Sequence, residues 1–207
     1  MKGIKWFEEK KENPLETNKL LLESTLDEFS KCSYNEASLN EIIKRADMRK
    51  GSFYYRFYDK KDLYLSLFYY IGMRKAEMIG NNAKTSEKDD FFASLREKTI
   101  LALKFARMEK RYYDFWRIYI KESEEIKNFV HDCFGGYYTD EIYTWVEEAK
   151  KNGKIRSDVN SKLLADFINI LIERIDLLIS PDQTDDEIYN NVCTMMDLIE
   201  HGIKKDI

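Results

Sequence analysis

Proline and glycine are scarce along this chain, and their scarcity is the strongest constraint on its fold. Only two prolines and eight glycines occur in 207 residues, so long segments run without the residues that break helices or form turns. Within these segments apolar residues, 43% of the chain, recur at spacings of three and four, the period of an amphipathic helix. The pattern predicts an all-α fold with enough apolar side chains to build a core.

The N-terminus and the cysteines indicate the compartment. Residues 1–10 lack the apolar core of a signal peptide, and no stretch approaches the ~18 apolar residues that span a bilayer. We therefore expect a cytoplasmic protein. The three cysteines, Cys32, Cys133 and Cys193, are odd in number and far apart, which predicts reduced, mostly buried thiols rather than a disulfide framework or a CxxC site.

Positive charge is concentrated in one short segment. Residues 38–61 contain seven basic and three acidic residues, a net charge of +4, although the whole chain has a net charge of −4. A basic segment in an acidic chain is typical of a small nucleic-acid-binding module attached to a larger body. A solvated helix face is the alternative explanation.

Helix signals flank this segment on both sides. Asn13-Pro14 predicts the start of a first helix, whose apolar stripe ends before Tyr34. Ser38 and Glu41 form a capping-box pattern at the start of a second helix. Asp47 lies in the short connection that follows, and Asp tolerates the left-handed backbone of a tight reversal. The second helix, this turn and the basic helix predicted to follow form a helix-turn-helix.

A third helix is predicted from about Lys50 to Phe57. At ~100° per residue, Phe53 and Phe57 point to one side, while Tyr55 points to the other and Tyr54 lies on the flank. The phenylalanines are therefore predicted to be core, and the tyrosines are left for a partner. Gly51 costs a free helix ~1 kcal/mol relative to Ala, which favours a close approach to the backbone at this position.

Residues 17–68 resemble the DNA-binding domain of the tetracycline-repressor (TetR/AcrR) family of bacterial transcriptional regulators. That family commonly carries the run A-G-V-S-K-G-T-L-Y-H-H-F-x-x-K-x-x-L, and residues 46–63 read A-D-M-R-K-G-S-F-Y-Y-R-F-Y-D-K-K-D-L. Asp47 and Ser33 replace usual glycines, and Arg49 and Arg56 add charge where the family is often neutral. The two arginines leave the operator sequence undetermined but do not affect the predicted fold.

The resemblance implies roles for individual residues. Ser38, Lys50, Tyr54 and Lys60 match positions that contact phosphate, and Ser52 and Tyr55 match the base-facing surface. Arg49 and Arg56 are added from charge and geometry, because Arg binds guanine O6 and N7 in a bidentate contact; plain phosphate or solvent contact is the alternative for both. The expected DNA-binding set is Ser38, Arg49, Lys50, Gly51, Ser52, Tyr54, Tyr55, Arg56 and Lys60.

The rest of the chain is expected to form a larger helical domain. We predict an N-terminal extension at residues 1–16, the helix-turn-helix domain at 17–62, and an effector-binding and dimerisation domain at 63–207. Residues 112–145 are rich in aromatic side chains, which form either a bulky core or the lining of a small-molecule pocket. The candidate pocket residues are Tyr112, Trp116, Tyr119, Phe134, Tyr138 and Trp145.

Two apolar stripes near the end of the chain predict a helix pair. The family resemblance implies that this pair forms a four-helix dimer interface, whereas periodicity alone fits intramolecular packing equally well. The candidate interface residues are Phe167, Leu171, Ile188, Val192, Met195 and Ile199. A homodimer would place two reading helices about one turn of DNA apart, which suits a palindromic operator.

Catalytic and metal-dependent functions find little support. The chain contains no P-loop or Rossmann glycine pattern, and the consecutive His131, Asp132 and Cys133 cannot all face one metal ion from a helix. We therefore expect no enzyme activity, no metal and no cofactor. The sequence predicts a ligand-responsive homodimeric repressor that binds double-stranded DNA. The alternative is a DNA-binding protein of the same fold that has no effector and acts through a protein partner or as an architectural factor.

Overall fold

The computed structural model describes residues 1–84, 90–135, 139–173, 175 and 183–203, and these residues are helical and irregular with no strand. The predicted all-α class is confirmed. The described chain divides into two compact units, an N-terminal unit (Met1–Glu77 and Phe105–Gly135) and a C-terminal unit (Met78–Lys104 and Gly136–Ile207). None of the described helices is long and apolar enough to cross a membrane.

Twelve helices follow one another along the described chain. They are α1 Lys5–Glu8, α2 Pro14–Thr17, α3 Lys19–Phe29, α4 Leu39–Arg45, α5 Lys50–Arg56, α6 Lys60–Asn82, α7 Phe91–Met108, α8 Lys110–Tyr119, α9 Glu124–Phe134, α10 Thr139–Lys151, α11 Ser161–Glu173 and α12 Asp185–Ile203. Helices α6 and α7 each contribute residues to both units.

The predicted first helix is divided in two at Asn18. The Asn13 side chain accepts a hydrogen bond from the Leu15 N–H at 3.0 Å, as its predicted cap position requires. Asn18 then adopts an extended backbone with φ −125° and accepts the Leu21 N–H at 3.0 Å. A second Asn cap therefore ends α2 and starts α3, because an Asn side chain competes with the helix for backbone N–H groups.

The core of the N-terminal unit combines α3, α4 and α5 with α6, α8 and α9. Phe29, Phe53, Phe57 and Leu63 are buried together with Phe115 of α8. At the surface of the same unit, Arg111 joins α8 to α3 through a cluster of carboxylates. Its guanidinium lies 2.8 Å from Glu23, 2.8 Å from Asp27 and 2.9 Å from Glu109, and these contacts raise the pKa of Arg111 above its already high ordinary value.

The C-terminal unit has its own apolar core. Helices α10 and α11 pack against each other, and the buried side chains of this core include Val146, Ile168, Val192 and Met196. The three cysteines are free thiols, and each is half-buried, whereas the sequence predicted mostly buried thiols.

The compact units divide the chain differently from the predicted domains. The N-terminal unit includes the predicted extension at residues 1–16, and it also includes residues 105–135, which the sequence assigned to the larger C-terminal domain. Residue 62, where we predicted the boundary between the two domains, lies in the first turn of α6, a helix that continues to Asn82.

Candidate nucleic-acid interface

The position of helix α5 is set by the helix before it, α4, and by the tight turn that joins the two. The Ser38 hydroxyl accepts the Glu41 N–H at 3.3 Å and begins α4, while the Ser38 N–H donates to Glu28 Oε1 at 2.7 Å. A capping box would have the Glu41 side chain accept the Ser38 N–H. In the structure Glu28 of α3 accepts this N–H instead. Asp47 has φ 49°, the left-handed conformation expected for it, and turns the chain from α4 into α5.

The two faces of α5 are those that its periodicity predicted. Phe53 and Phe57 have no exposed surface, and their rings stack with centroids 5.1 Å apart. Tyr54 and Tyr55 retain 50% and 67% of their surface. The buried pair anchors the helix in the core, and the tyrosines on the other side are available to a partner.

The remaining candidates on α5 lie on the exposed side or at its edge. Arg49, Lys50, Gly51 and Ser52 are exposed, and a Cβ added at Gly51 would meet no described atom within 4 Å. Packing within the described chain therefore does not explain the glycine. The half-buried Arg56 donates to the Ser52 carbonyl at 2.9 Å, so in this structure its guanidinium folds back on the helix.

Lys60 has a structural role that its sequence position did not reveal. Its ammonium donates to the Tyr34 carbonyl at 2.7 Å and the Ala37 carbonyl at 2.9 Å, and it lies 4.6 Å from the centroid of the Tyr34 ring. These contacts hold the loop before α4 against the start of α6. An ammonium has three N–H donors, which leaves one for the phosphate contact expected of Lys60.

The N-terminal residues are part of the same unit, although the sequence indicated no role for them. Ile4 is fully buried and Trp6 nearly so. The Trp6 indole N–H donates to Ser66 Oγ at 2.7 Å, and the Asn13 amide donates to the Ser66 carbonyl at 3.1 Å. The signal that could have found this docking was the pair of large apolar residues, which a solvated extension would leave exposed.

Asp62 joins the N-terminal residues to the end of α5. It is 1% exposed, and its Oδ2 accepts both the Tyr58 N–H at 2.8 Å and the Lys5 N–H at 3.2 Å. Burial raises the pKa of Asp62 from 3.8 to about 6, although these hydrogen bonds and one from Ser66 oppose the rise.

The candidate pocket residues pack against cores as far as the structure describes them. Tyr112, Tyr119 and Phe134 pack against the core of the N-terminal unit, and Trp145 packs against the core of the C-terminal unit. Trp116 is 37% exposed, and Tyr138 lies outside the described residues. Phe68 fills space among these rings, with its centroid 4.7 Å from Tyr119.

The candidate dimer residues separate into buried and exposed positions. Ile188, Val192 and Ile199 lie inside the core of the C-terminal unit, so intramolecular packing, the alternative that periodicity left open, accounts for them. Leu171 and Met195 are half-buried against the same core. Phe167 alone of the six is exposed, at 48%. For the three buried residues the assignment to a surface interface is therefore corrected.

A different apolar stripe lies on the surface of α11. Leu163, Phe167 and Ile170 are 69%, 48% and 59% exposed, and their spacing of four and three places them on one side of the helix. Leu198 of α12 is 74% exposed. Contiguous exposed apolar residues of this kind commonly mark an interaction surface.

Comparisons with known proteins agree with this architecture. Residues 21–67 match the family model of bacterial regulatory proteins of the tetR family. Comparison with curated proteins gave no match. Among solved structures, a TetR family transcriptional regulator from Chloroflexus aurantiacus J-10-FL aligns with a TM-score of 0.68 and 22% identity, over 92% of this chain and 94% of that one.

Two further solved structures contain ligands. The transcriptional regulator FadR from Bacillus subtilis in complex with stearoyl-CoA aligns with a TM-score of 0.69 and 16% identity, over 86% of this chain and 96% of that one. AibR in complex with isovaleryl coenzyme A and operator DNA aligns with a TM-score of 0.64 and 18% identity, over 87% of this chain and 96% of that one. At these identities the similarity shows a shared fold.

The fold and the exposed α5 define an all-helical protein of the helix-turn-helix class. Over α3 to α6 the chain matches the DNA-binding domain of the tetR family of bacterial regulatory proteins, and the described chain shares the fold of solved TetR family regulators. The resemblance seen in residues 17–68 is thereby confirmed.

Proposed function

We propose that this chain is a homodimeric transcriptional repressor that binds a palindromic operator in double-stranded DNA and is released by a small-molecule effector. The observation that carries the proposal is the construction of α5, in which a fully buried phenylalanine pair holds two exposed tyrosines among basic residues. A rigidly held, positively charged helix face is what the major groove accepts. Binding to the chromosome also implies that the protein acts in the cytoplasm.

In this proposal the surface formed by α4, α5 and the start of α6 makes two sets of contacts. Ser38, Lys50, Tyr54 and Lys60 bind phosphate and set the register, whereas Ser52, Tyr55 and the two arginines at 49 and 56 face the bases. Gly51 lets the DNA backbone approach the helix. Arg56 would leave the Ser52 carbonyl to reach a base, which costs one exposed hydrogen bond.

DNA binding is tested by selecting bound duplexes from a random pool and titrating variants on the selected site and on random DNA across a salt series. Lys50→Ala should weaken binding to both duplexes and make the log–log salt slope shallower by about one, because one phosphate contact is lost. Tyr55→Ala should lower affinity for the selected site by ~1–3 kcal/mol with less effect on random DNA. Lys154→Ala, an exposed lysine of the C-terminal unit, is the control. If Tyr55→Ala keeps full site preference, the proposed reading face is wrong.

We propose that self-association uses the exposed stripe of α11, formed by Leu163, Phe167 and Ile170. Burial of these side chains against a second copy would remove apolar surface that a monomer leaves in water. Ile170→Glu should therefore give a folded monomer in sedimentation experiments, while Lys154→Glu should remain a dimer. A wild-type protein that sediments as a monomer at micromolar concentration would contradict this part of the proposal.

The proposal that the protein has a small-molecule effector is supported by solved proteins of this fold that bind acyl-coenzyme A molecules. Of the candidate lining residues, Tyr112, Trp116, Tyr119 and Phe134 lie in the N-terminal unit and remain the candidate lining there. The close packing of Phe68 with Phe115 and Tyr119, at centroid distances of 4.8 and 4.7 Å, instead favours a DNA-binding protein without an effector. A fluorescence-based DNA release assay with a panel that includes short- and long-chain acyl-coenzyme A molecules separates the two functions, because only a ligand-responsive regulator changes its operator affinity.

A further inference from the structure

The end of the reading helix is completed by a residue from the N-terminus. Helix α5 has seven residues and no side-chain cap at its start, and a helix of this length is not stable by itself. If α5 continued, the Tyr58 N–H would bond to the Tyr54 carbonyl. Tyr58 instead donates to Asp62, and the Lys5 ammonium donates to the Tyr54 carbonyl at 2.8 Å. Lys5 thus satisfies a carbonyl that the end of the helix leaves without its usual partner.

Lys5 is held in place by the contacts on both sides of it. Its own N–H donates to Asp62 Oδ2, the oxygen that also accepts the Tyr58 N–H. Ile4 and Trp6, its neighbours in the chain, are buried, and Trp6 is bonded to Ser66. The side chain of Lys5 also lies 5.4 Å from the ring centroid of Tyr58. The backbone of Lys5 is therefore bonded to α6 and its ammonium to α5.

We infer that residues 4–13 belong to the DNA-binding domain, and that Lys5 positions the last turn of α5 for base recognition. This inference rests on the proposed DNA-binding function. The carbonyl that Lys5 binds belongs to Tyr54, which is adjacent to Tyr55, the residue assigned to base contact. Contacts to base edges tolerate errors of only about half an ångström, so loosening this turn reduces discrimination among base pairs. The inference assigns the Lys5 ammonium to this carbonyl and not to phosphate, and the two roles predict different salt slopes.

The test replaces Lys5 by Met, which keeps the apolar stem and removes the N–H donors. The preference for the selected operator over a random duplex of equal length should fall about tenfold, the usual effect of losing a hydrogen bond from a charged donor. Affinity for random DNA and its salt slope should stay unchanged, since no phosphate contact is lost. Lys5→Arg, which retains donors that reach the carbonyl, should restore the preference. Lys10→Met, at an exposed lysine of the same segment, should have no effect.

Different failures of this experiment have different meanings. A salt slope shallower by about one, with both duplexes bound equally less tightly, would make Lys5 a phosphate contact and overturn the inference. Unchanged preference in folded Lys5→Met would overturn it too. If circular dichroism shows that Lys5→Met is unfolded, Lys5→Arg decides: preserved preference supports the capping role and its loss in a folded protein refutes it. A wild-type protein that binds all duplexes equally would overturn the proposed function and this inference together.

Discussion

Replacing Asp62 by Asn should stabilise the protein at neutral pH and remove the contribution of this position to the pH dependence of stability between about pH 3.8 and 6. The carboxylate is 1% exposed, and burial raises its pKa from 3.8 to about 6. The difference corresponds to ~3 kcal/mol at 1.36 kcal/mol per pH unit. This is the free energy that ionisation of Asp62 costs the folded state above pH 6.

The direction of the effect depends on which state, folded or unfolded, binds the proton of Asp62 more tightly. Between pH 3.8 and about 6 the folded state holds the proton of Asp62 and the unfolded state does not. The contribution of Asp62 to the free energy of unfolding therefore falls as the pH rises through this range and stays low above it. An asparagine side chain at this position would remain neutral throughout. Its single carbonyl oxygen can accept the N–H groups of Lys5 and Tyr58, and its amide can donate to Ser66 Oγ.

The measurement is urea unfolding of the wild type and Asp62→Asn at several pH values, followed by circular dichroism. We expect the variant to be more stable by up to ~3 kcal/mol at pH 7 and by much less at pH 4.5. Glutamates with lowered pKa values, such as Glu36 and Glu109, lose their contribution in acid in both proteins, so they cancel in the difference. Asp132→Asn, the same change at an exposed position, should show no such trend. A constant difference over pH 4.5–7 would refute the raised pKa, and a uniform destabilisation would mean that the hydrogen bonds outweigh the cost of burial.

Three further predictions concern packing and charge. Val192→Asp should unfold the C-terminal unit rather than release a folded monomer, because the side chain has no exposed surface and a buried unpaired charge costs several kcal/mol; thermal unfolding distinguishes it from Ile170→Glu. Phe53→Ala should cost ~3–5 kcal/mol and remove helicity and DNA binding together, as urea unfolding and DNA titration would show. Arg111→Met should destabilise the N-terminal unit by ~1–3 kcal/mol at pH 7, since three carboxylates would then face one another, and by less in high salt.

Local features of this protein could be read from its sequence because they depend on neighbouring residues. The caps at Asn13 and Ser38, the left-handed turn at Asp47, and the inward and outward rings of α5 all agree with the structure. Each depends on backbone geometry within a few residues or on helical period. The division of the first helix at Asn18 was missed for a local reason as well, since an Asn inside a helical pattern can either continue the helix or cap the next one.

Features that join distant residues were decided by the tertiary structure alone. Periodicity identified the apolar stripe of α12 but not the residues that pack against it. Val192 is buried within its own unit, while Leu163, Phe167 and Ile170 of α11 are exposed. Lys60 matched a phosphate-binding position, yet its ammonium also holds the carbonyls of Tyr34 and Ala37. Lys5 reaches Tyr54 across 49 residues of sequence. The physical reason is the same in each case: the spacing of residues along a chain specifies which side of an element is apolar or charged, and only the packed fold specifies which surface meets it.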